Sequence, residues 1–471
     1  MTEQEKIEWL VSPGNFFPKD LRFGNLRGNK NFIEPFLEYS AILQDSQYWS
    51  EEIRHRIQLQ RLKKLTSYLA RNSKFWNNYF KKNNFNPDTV ESLDDLRNLS
   101  ILRRSDMLQF GEGAHVITDL NKDYIFSRNS SGTTGTPIKL LYDERERIYG
   151  TLAYQFRYSV FLDGNFLKSL LLRKFIVILG FPGQRFTFPK DFAYEGFKEL
   201  TPTEIEEKDV REKIYDAIRQ SAPTILIGSA SLVLKLAQVV DEDGVSLPIF
   251  LTILSSEQIS DESKLFIQKV FCAPIKNGYS SSGVGSIGFE CDQQKGLFHL
   301  NAEQVIVEFI DPESRKVRGI DEEGEVVLTS LIYSVSPILR CAIDDIGNYV
   351  SGICMCKRTL PMFRFLGRRG GELILPSGKK IRSIHFHILL ANSGVIKSSK
   401  QFQLIQENRE SLRLLIIPRT QTLDLIAEAR FRFALTKLFG GEKMNIEIDY
   451  VGEIPKKGRK PQFFIPLNSE K

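Results

Sequence analysis

The sequence predicts an α/β and α+β protein with at least two domains, and three observations lead to this prediction. Its 471 residues exceed what a single hydrophobic core usually serves. Short apolar runs alternate with helix-like stretches through the middle of the chain. The pattern then turns to closely spaced strands and breaks at Leu366–Gly371. We therefore predict a large N-terminal domain over residues 1–367 and a small, mobile C-terminal α+β domain over residues 368–471.

The large domain is predicted to begin with helices, continue as layered α/β structure and end in a smaller β region. Apolar residues recur at helical spacing between residues 51 and 71. Buried strands are predicted at Phe175–Gly180, Thr224–Gly228, Phe250–Leu254, Gln304–Ile310 and Glu325–Leu328, with helices at Lys208–Gln220 and Ser231–Val240. The small domain is predicted to contain strands at Phe402–Ile405, Leu412–Ile417 and Met444–Tyr450 and a helix at Thr422–Leu438.

Composition and charge exclude several classes of protein. The net charge of +6 comes from scattered basic residues, a distribution that argues against nucleic-acid binding. Residues 1–10 lack the apolar core of a signal peptide. The most apolar stretch, Phe166–Phe181, is interrupted by charged side chains and is too short to span a bilayer. We therefore expect a cytoplasmic protein without a transmembrane segment, in which five cysteines do not form a disulfide scaffold.

The strongest local signal is a loop rich in glycine and hydroxyl side chains. It reads Ser130, Ser131, Gly132, Thr133, Thr134, Gly135, Thr136 and then Pro137. The glycines permit tight turns and a close approach of the backbone to a ligand, and the hydroxyl and N–H groups suit a polyphosphate. A polar hairpin turn is the alternative interpretation, but a turn needs only two to four such residues. The sequence therefore predicts that residues 130–136 cradle phosphates.

This loop resembles the phosphate loop of the adenylate-forming superfamily. The following Ile138-Lys139 is similar to the branch that contains phenylacetate–CoA ligases and capsule-biosynthesis proteins. Further stretches resemble family elements in the same order. Pro223–Gly228 resembles the segment that lines the acyl pocket, Ser255-Ser256-Glu257 resembles the stretch before the adenine site, and Tyr279 and Ser282 match the adenine motif. Arg340 and Asp345 resemble the ribose element, Gly367-Arg368 resembles the hinge, and Pro455 with Lys460 resembles the catalytic lysine motif.

The resemblance implies an ATP-dependent ligase with a defined set of functional residues. It implies nucleotide binding by residues 130–136, Glu257, Tyr279, Ser282 and Asp345, and catalysis by Arg368 and Lys460. Adenylation brings a carboxylate against the α-phosphate of ATP, so positive charge is needed at the phosphorus. A flexible ammonium such as that of Lys460 suits this role if a mobile domain carries it in. The alternative is that Lys460 is a solvated lysine among Lys456, Lys457 and Arg459.

Two positions depart from the family pattern. Gly283 stands where the family has a glutamate that helps to hold Mg²⁺, and Gly370 stands where the hinge often has Asp or Lys. A hard cation such as Mg²⁺ prefers oxygen ligands, and glycine has no side chain that could supply one. Either the phosphates, water and another acid such as Glu257 or Glu290 hold Mg²⁺, or adenylation is impaired.

The cysteines and a histidine suggest a second kind of site. Cys291 precedes His299 by eight positions, and Cys354 and Cys356 form a Cys-x-Cys pair. A Cys₃His set suits tetrahedral structural zinc, and members of the resembling branch carry zinc at matching positions. The alternative is four unrelated core residues. Cys272 and Cys341 have no such partners in the sequence and are predicted to lie in the core.

The sequence thus favours an acid–thiol ligase that uses ATP, Mg²⁺ and CoA and contains structural zinc. Its expected partners are a small carboxylic acid and the thiol of CoA or of a carrier protein, while a homodimer is left open. Two alternatives remain: a nucleotide- or acyl-binding protein of the same fold with reduced or no adenylation, or an acyl-transfer component of surface-polysaccharide biosynthesis. Fold alone does not choose among them, and the sequence does not identify the acid.

Overall fold

A computed structural model provides the three-dimensional description of the chain. It describes residues 1–21, 29–109, 125–129, 138–157, 176–180, 194–197, 200–257, 259–332, 334–382, 385–386, 389–390, 393–419, 425–454 and 464–467. Within these residues no helix is both long and apolar enough to cross a membrane.

The N-terminal region is helical, as the periodicity of its apolar residues predicts. Its α-helices are α1 (Glu3–Val11), α2 (Lys30–Asp45), α3 (Glu51–Asn72), α4 (Lys74–Lys82) and α5 (Arg104–Gln109), with 3₁₀ turns at Pro13–Asn15, Ser46–Tyr48, Pro87–Thr89 and Leu93–Asn98. Helix α1 begins in a capping box, in which Thr2 and Glu5 satisfy each other's backbone N–H groups. The Ser50 side chain accepts from the N–H of Ile53 and so caps α3.

A hairpin and a helical segment follow. Strands β1 (Ile125–Asn129) and β2 (Lys139–Asp143) pair antiparallel and flank the predicted phosphate loop. The chain then runs through α6 (Glu144–Arg147), a π-helical turn (Ile148–Leu152) and α7 (Ala153–Arg157). Ile148 and Tyr154 of this segment pack into the same buried cluster as Phe32 and Phe36 of α2.

Among the residues that the structure describes, the middle of the chain builds a sheet of eleven strands, and the first half of this sheet is parallel. Strands β4, β3, β5, β6 and β7 lie side by side in that order and in parallel. The strands of this half are β3 (Ile176–Leu179), β4 (Tyr194–Phe197), β5 (Thr224–Ser229), β6 (Ile249–Ser255) and β7 (Ile275–Ser281); the helices are α8 (Pro202–Glu206), α9 (Lys208–Gln220), α10 (Ala230–Asp243) and α11 (Asp261–Phe271). Every residue of β5 is buried, which is typical of a strand covered on both faces.

The second half of the sheet is antiparallel and continues from β7. Its order is β7, β8, β9, β13, β12, β11 and β10. The strands are β8 (Gly285–Glu290), β9 (Phe298–Leu300), β10 (Val305–Ile310), β11 (Gly324–Ser330), β12 (Cys341–Val350) and β13 (Met362–Arg368). The parallel and antiparallel halves therefore meet at β7, which carries the predicted adenine motif.

The residues after β13 form their own sheet and core. A hairpin comes first and consists of β14 (Glu372–Ile374) and β15 (Lys380–Arg382). It is followed by a sheet whose described strands lie in the order β18, β17, β16, β19. Its elements are α12 (Val395–Ser398), β16 (Ser399–Asn408), β17 (Ser411–Pro418), α13 (Leu425–Leu438), β18 (Asn445–Tyr450) and β19 (Phe464–Ile465). The buried cluster of this unit draws only on residues from Leu373 to Phe464.

Most predicted elements are confirmed, and one prediction about the core is wrong. Lys208–Gln220 is a helix with the predicted ends, and the other predicted strands and helices overlap observed ones. Cys341 is buried as expected. Cys272, in contrast, is exposed, because it ends α11 in a left-handed conformation and does not face the core.

Candidate nucleotide and metal sites

Three of the predicted site residues meet where β7, β12 and β13 approach one another. The hydroxyl of Tyr279 donates to Asp345 Oδ2 at 2.6 Å. Arg368 Nε lies 3.2 Å from the other carboxylate oxygen, Oδ1. Asp345 and Arg368 are direct partners in the β12–β13 ladder, so the backbone register holds this ion pair together. The structure thus brings the predicted adenine, ribose and hinge residues into one cluster.

Burial sets the electrostatics of this cluster. Asp345 is only 6% exposed, and burial raises the pKa of its carboxyl, while Arg368 and the Tyr279 hydroxyl act in the opposite direction. Burial and the neighbouring Asp345 raise the pKa of Tyr279 well above its ordinary value. Tyr279 therefore keeps its proton and serves as a donor. The aromatic rings of Phe298, Phe363 and Phe365 surround it.

At position 283, where the family has a glutamate, a neighbouring side chain occupies the space that a longer residue would need. A Cβ atom built on Gly283 would lie 1.7 Å from Cδ1 of Ile338. Non-bonded atoms do not approach each other that closely, and Ile338 is itself buried with 6% exposure. The space beside Gly283 is therefore filled by the isoleucine, and any side chain at 283 requires Ile338 to move.

The two acids considered as replacements are already engaged. Glu257 accepts from the backbone N–H of Ser231 at 3.0 Å and from its hydroxyl at 2.7 Å, near the start of α10. Glu290 lies 2.6 Å from the ammonium of Lys264 and also accepts from Asn277. Each carboxylate therefore has a structural role in this conformation.

The predicted phosphate loop at residues 130–136 and the predicted catalytic Lys460 lie outside the described residues. The strand that follows the loop is nevertheless well connected to the nucleotide cluster. Tyr142 of β2 donates its hydroxyl to the carbonyl of Ser282, and the N–H of Leu141 donates to Ser336 Oγ at 2.9 Å. Strand β2 is thereby fixed against the predicted adenine motif.

Sequence reasoning missed Glu146, a buried carboxyl on α6. It accepts from the N–H of Ser334 at 3.1 Å and from the Ser334 hydroxyl. Burial, reinforced by the nearby Asp143, raises its pKa to about 8. It borders a cavity of about 310 Å³ lined by Tyr68, Asp143, Arg145, Glu146, Tyr149 and Ser334. The sequence signal is weak, because a Glu three residues after the end of a strand usually occupies an exposed position on a helix.

Arg340, which belongs to the predicted ribose element, has a structural role. Its guanidinium pairs with both carboxylate oxygens of Glu308, with Nε 2.8 Å from Oε2. It also donates to the carbonyls of Arg97 and Leu99 and is only 4% exposed. Arg340 therefore ties the N-terminal helical region to β10, and Asp345 alone remains available for a ligand.

The predicted metal residues converge. The ligand atoms of Cys291, His299, Cys354 and Cys356 all lie within 4.8 Å of one another. Cys291 Sγ is 3.4 Å from Cys354 Sγ, and Cys356 Sγ is 3.2 Å from His299 Nε2. Residues from the β8–β9 connection, from β9 and from the β12–β13 connection thus share one centre.

The chemistry of this cluster fits a closed tetrahedral metal site. Zn²⁺ binds thiolate at about 2.3 Å and imidazole at about 2.0 Å, so neighbouring ligand atoms should be roughly 3.3–3.8 Å apart. Burial and the nearby Arg358 lower the pKa of His299 to about 4, which keeps a lone pair free for a metal. Three of the four residues are buried, and with four protein ligands no position is left for substrate.

Comparison with known structures supports the fold assignment. A crystal structure of 2-hydroxyisobutyryl-CoA ligase in the postadenylation state, in complex with R3-HIB-AMP, matches with a TM-score of 0.71. The match covers 90% of this chain and 93% of that one at 15% identity. The chain therefore has the fold of the adenylate-forming acyl-CoA ligases, as the sequence motifs predict.

A sequence relative supports the more particular resemblance. The chain is 22% identical over 350 residues to phenylacetate–coenzyme A ligase of Pseudomonas putida, covering 71% of this chain and 75% of that protein. No protein-family model matches the chain. The chain thus resembles a phenylacetate–CoA ligase over most of its length.

A second structure of the same ligase also matches. 2-Hydroxyisobutyryl-CoA ligase in complex with 2-HIB-AMP and CoA in the thioesterification state matches with a TM-score of 0.54, over 90% of this chain. Its postadenylation structure matches with the higher TM-score of 0.71.

Proposed function

We propose that the chain is an AMP-forming acid–thiol ligase. In the first step a carboxylate oxygen attacks the α-phosphorus of ATP, the bond to the β-phosphate breaks, and acyl-AMP and pyrophosphate result. In the second step a thiol sulfur attacks the acyl carbon, AMP leaves and a thioester forms. The observation that carries this proposal is the Tyr279–Asp345–Arg368 cluster, which lies at the predicted nucleotide motifs of this fold.

Asp345 is the residue we assign to the ribose. Its two oxygens now face Tyr279 and Arg368. The Arg368 side chain is 43% exposed and follows Gly367, whose φ of +118° suits a flexible turn. Arg368 can therefore shift to share the carboxylate with ribose hydroxyls, while Tyr279 holds the carboxylate in place. Residues 130–136 would bind the phosphates, and Ser282 and Glu257 complete the proposed nucleotide set.

Lys460 is the group we assign to the charge that develops at phosphorus. A preorganised cation at that point lowers the barrier because the pentavalent transition state carries more negative charge than the reactants. Mg²⁺ would bind the ATP phosphates and supply further charge neutralisation. With Gly283 and Ile338 in contact, the phosphates and water would supply most of its ligands.

An acid panel tests the proposal directly. Purified protein is incubated with ATP, Mg²⁺ and single acids, including phenylacetate and 2-hydroxyisobutyrate because relatives are named for them. Pyrophosphate release and thioester formation with CoA are then measured. Release that depends on one acid, followed by a thioester, is the expected result. Tight ATP binding without release for any acid would support a nucleotide-binding protein instead.

Nucleotide binding without adenylation is the second candidate function, and one observation favours it: Ile338 fills the space beside Gly283. A protein that only binds a nucleotide has no need of a carboxylate aimed at Mg²⁺. The two functions differ in the expected effect of Mg²⁺. Adenylation requires the metal, whereas binding of AMP by a non-catalytic protein should be nearly independent of it.

We further propose that Cys291, His299, Cys354 and Cys356 bind one structural Zn²⁺. The spacing of the four ligand atoms supports this. Thiolates also select zinc over the Mg²⁺ that accompanies ATP. The metal would join the β8–β9 connection, just beyond the adenine motif, to the segment between β12 and β13, whose first strand carries Asp345.

A further inference from the structure

Three polar side chains from three helices meet inside the N-terminal helical region. Tyr39 lies on α2, Arg61 on α3 and Tyr154 on α7. Both tyrosines are fully buried, and Arg61 is only 3% exposed. The rings of Tyr39 and Tyr154 meet edge to face, with their centres 6.5 Å apart. Helices that are distant in the sequence therefore bring polar groups to one place in the core.

Each of these side chains keeps a polar atom without a hydrogen-bond partner among the described residues. The atoms are the hydroxyl oxygens of Tyr39 and Tyr154 and Nη2 of Arg61, and all three are shielded from solvent. The rest of the Arg61 guanidinium is engaged, because Nε donates to the carbonyl of Leu10 and Nη1 donates to that of Glu303 at 2.6 Å. Buried polar groups in folded proteins nearly always have partners, so these three atoms indicate a bound acceptor.

The two hydroxyls are donors at neutral pH. Burial raises the pKa of Tyr39, while the neighbouring Arg61 and Tyr154 act in the opposite direction. Burial also raises the pKa of Tyr154 well above its ordinary value. Both tyrosines therefore keep their protons. Even if the three groups bonded to one another, one proton would lack an acceptor, because a guanidinium only donates.

The charge around these donors is positive. Arg54, Arg61 and Arg157 are each no more than 3% exposed. Glu303 is the buried carboxylate near all three, and it pairs with Arg157 at 2.7 Å. The other carboxylate that acts on Arg54, that of Glu51, is exposed to solvent. Three buried cations thus share one buried carboxylate, and this imbalance favours an anion over a neutral water molecule as the acceptor.

The neighbours of the three donors limit the size of the anion. The centre of the Tyr39 ring lies 6.2 Å from that of Trp9 and 5.9 Å from that of Phe17. Both tyrosines belong to the apolar cluster that contains Phe32 and Phe36. A phosphate or a carboxylate would leave further acceptor oxygens unpaired among these rings. A halide presents a single acceptor, which three donors can satisfy.

We propose that Tyr39, Tyr154 and Arg61 bind one chloride ion inside the N-terminal helical region. The two hydroxyls and Nη2 of Arg61 donate to the anion, whose charge offsets that of the buried arginines. The ion joins α2 and α3 to α7, which follows β2 and the predicted phosphate loop in the chain. Chloride is therefore a structural ligand that holds this segment against the helices. The site does not depend on the proposed ligase function.

Thermal unfolding tests the site in solution. Full-length protein is unfolded in potassium gluconate and in mixtures where chloride replaces gluconate at constant ionic strength. Tyr39→Phe/Tyr154→Phe removes two donors and keeps both rings. Tyr215→Phe is the matched control, because Tyr215 is also fully buried but its hydroxyl already donates to Asp243 at 3.0 Å.

We expect chloride to raise the unfolding midpoint of the parent and of the control by about 2 °C or more relative to the double variant. An equal response of all three proteins to chloride overturns the proposal. If the double variant does not fold, Tyr154→Phe takes its place in the same comparison.

Bromide locates the ion directly. Crystals of the parent protein are soaked in bromide, and diffraction is measured at the bromine absorption edge. The expected result is an anomalous peak within hydrogen-bond distance of the hydroxyls of Tyr39 and Tyr154 and of Nη2 of Arg61. Density at that point without an anomalous signal would identify a water molecule and overturn the assignment of an anion.

Discussion

At the scale of single residues, Asp345 is the best-defined candidate ligand for a nucleotide. It is buried, it is oriented by Tyr279, and its partner Arg368 is half exposed. We expect Asp345→Ala to weaken ATP binding by about 1–3 kcal/mol, because ribose hydroxyls lose a charged hydrogen-bond partner. Isothermal titration with ATP measures this. Asp94→Ala, which removes an exposed carboxylate of a local ion pair, is the control, and unchanged affinity of Asp345→Ala would contradict the assignment.

The contact between Gly283 and Ile338 gives a prediction about stability. Gly283→Ala should cost about 1–3 kcal/mol by overpacking, since its new Cβ would overlap Ile338. Ile338→Ala should cost about 2–4 kcal/mol by leaving a cavity. The double variant should lose clearly less than the sum, because each change relieves the other. Urea unfolding of the four proteins gives the coupling free energy, and strict additivity would mean that the two residues do not compete for space.

Glu146 should make stability depend on pH. Its folded-state pKa of about 8 lies above the ordinary value of 4.5 because of burial. The native state therefore holds a proton that the unfolded state releases, and stability declines as pH rises from about 4.5 to about 8. Glu146→Gln lacks this titration and should gain stability over the parent as pH rises, by about 1–3 kcal/mol at pH 8.

Thermal unfolding of the parent and Glu146→Gln at pH 5 and pH 8 measures this difference. Glu52→Gln changes an exposed carboxylate of α3 and serves as the control. A gain for Glu146→Gln that is equal at both pH values would show that Glu146 does not titrate in this range.

At the scale of elements, the proposed zinc site joins two connections that are distant in sequence. Cys291 and His299 border the β8–β9 connection, and Cys354 and Cys356 lie between β12 and β13. Strands β9 and β13 pair only at Met362–His299 and Phe363–Phe298, so hydrogen bonding alone ties them weakly. A metal there would hold the nucleotide strands β7 and β12 in a fixed relation through their neighbours.

We therefore expect purified protein to contain about one equivalent of zinc. Cys356→Ser should lose most of the metal and lower the melting temperature, since zinc–thiolate sites can contribute on the order of 10 kcal/mol. Elemental analysis and thermal unfolding measure the two effects. Cys272→Ser alters an exposed cysteine outside the cluster and should change neither. Less than half an equivalent in the parent would leave the four residues as ordinary buried side chains.

At the scale of the whole molecule, the division near residues 367–371 remains a prediction with structural support. The buried cluster after β13 contains no residue before Leu373, and Gly367 and Gly370 both adopt positive φ. Ion pairs cross this boundary between described residues: Arg419 pairs with Glu242 of α10, and Arg369 lies 3.4 Å from Glu325. Such an interface suits parts that change their relative placement.

Lys460 belongs to this scale because the C-terminal unit would have to carry it to the nucleotide. We expect Lys460→Ala to slow adenylation by about a hundredfold or more while ATP binds nearly as before, because the ammonium acts mainly in the transition state. Acid-dependent pyrophosphate release and ATP titration separate the two quantities. Lys457→Ala changes a neighbouring lysine of the same segment and serves as the control. If both variants lose the same fraction of the adenylation rate, the effect comes from the positive charge of the segment in general and not from Lys460.

The sequence by itself determined the fold class, and it predicts the members of the candidate sites. Local patterns carry this information, since alternation and apolar runs reflect burial and the order of the motifs reflects the fold. The sequence predicts helix Lys208–Gln220 with the ends that the structure has, and it predicts the Cys₃His set whose four ligand atoms converge in the structure.

Only the tertiary structure decided what each of these residues touches. Ile338 fills the space beside Gly283, Arg340 turns to Glu308, and Glu146 is buried against Ser334. These partners lie between 32 and 188 positions apart in the chain. Side-chain burial and long-range packing arise from how strands pair and helices cover them, and no local pattern in a single sequence records that arrangement.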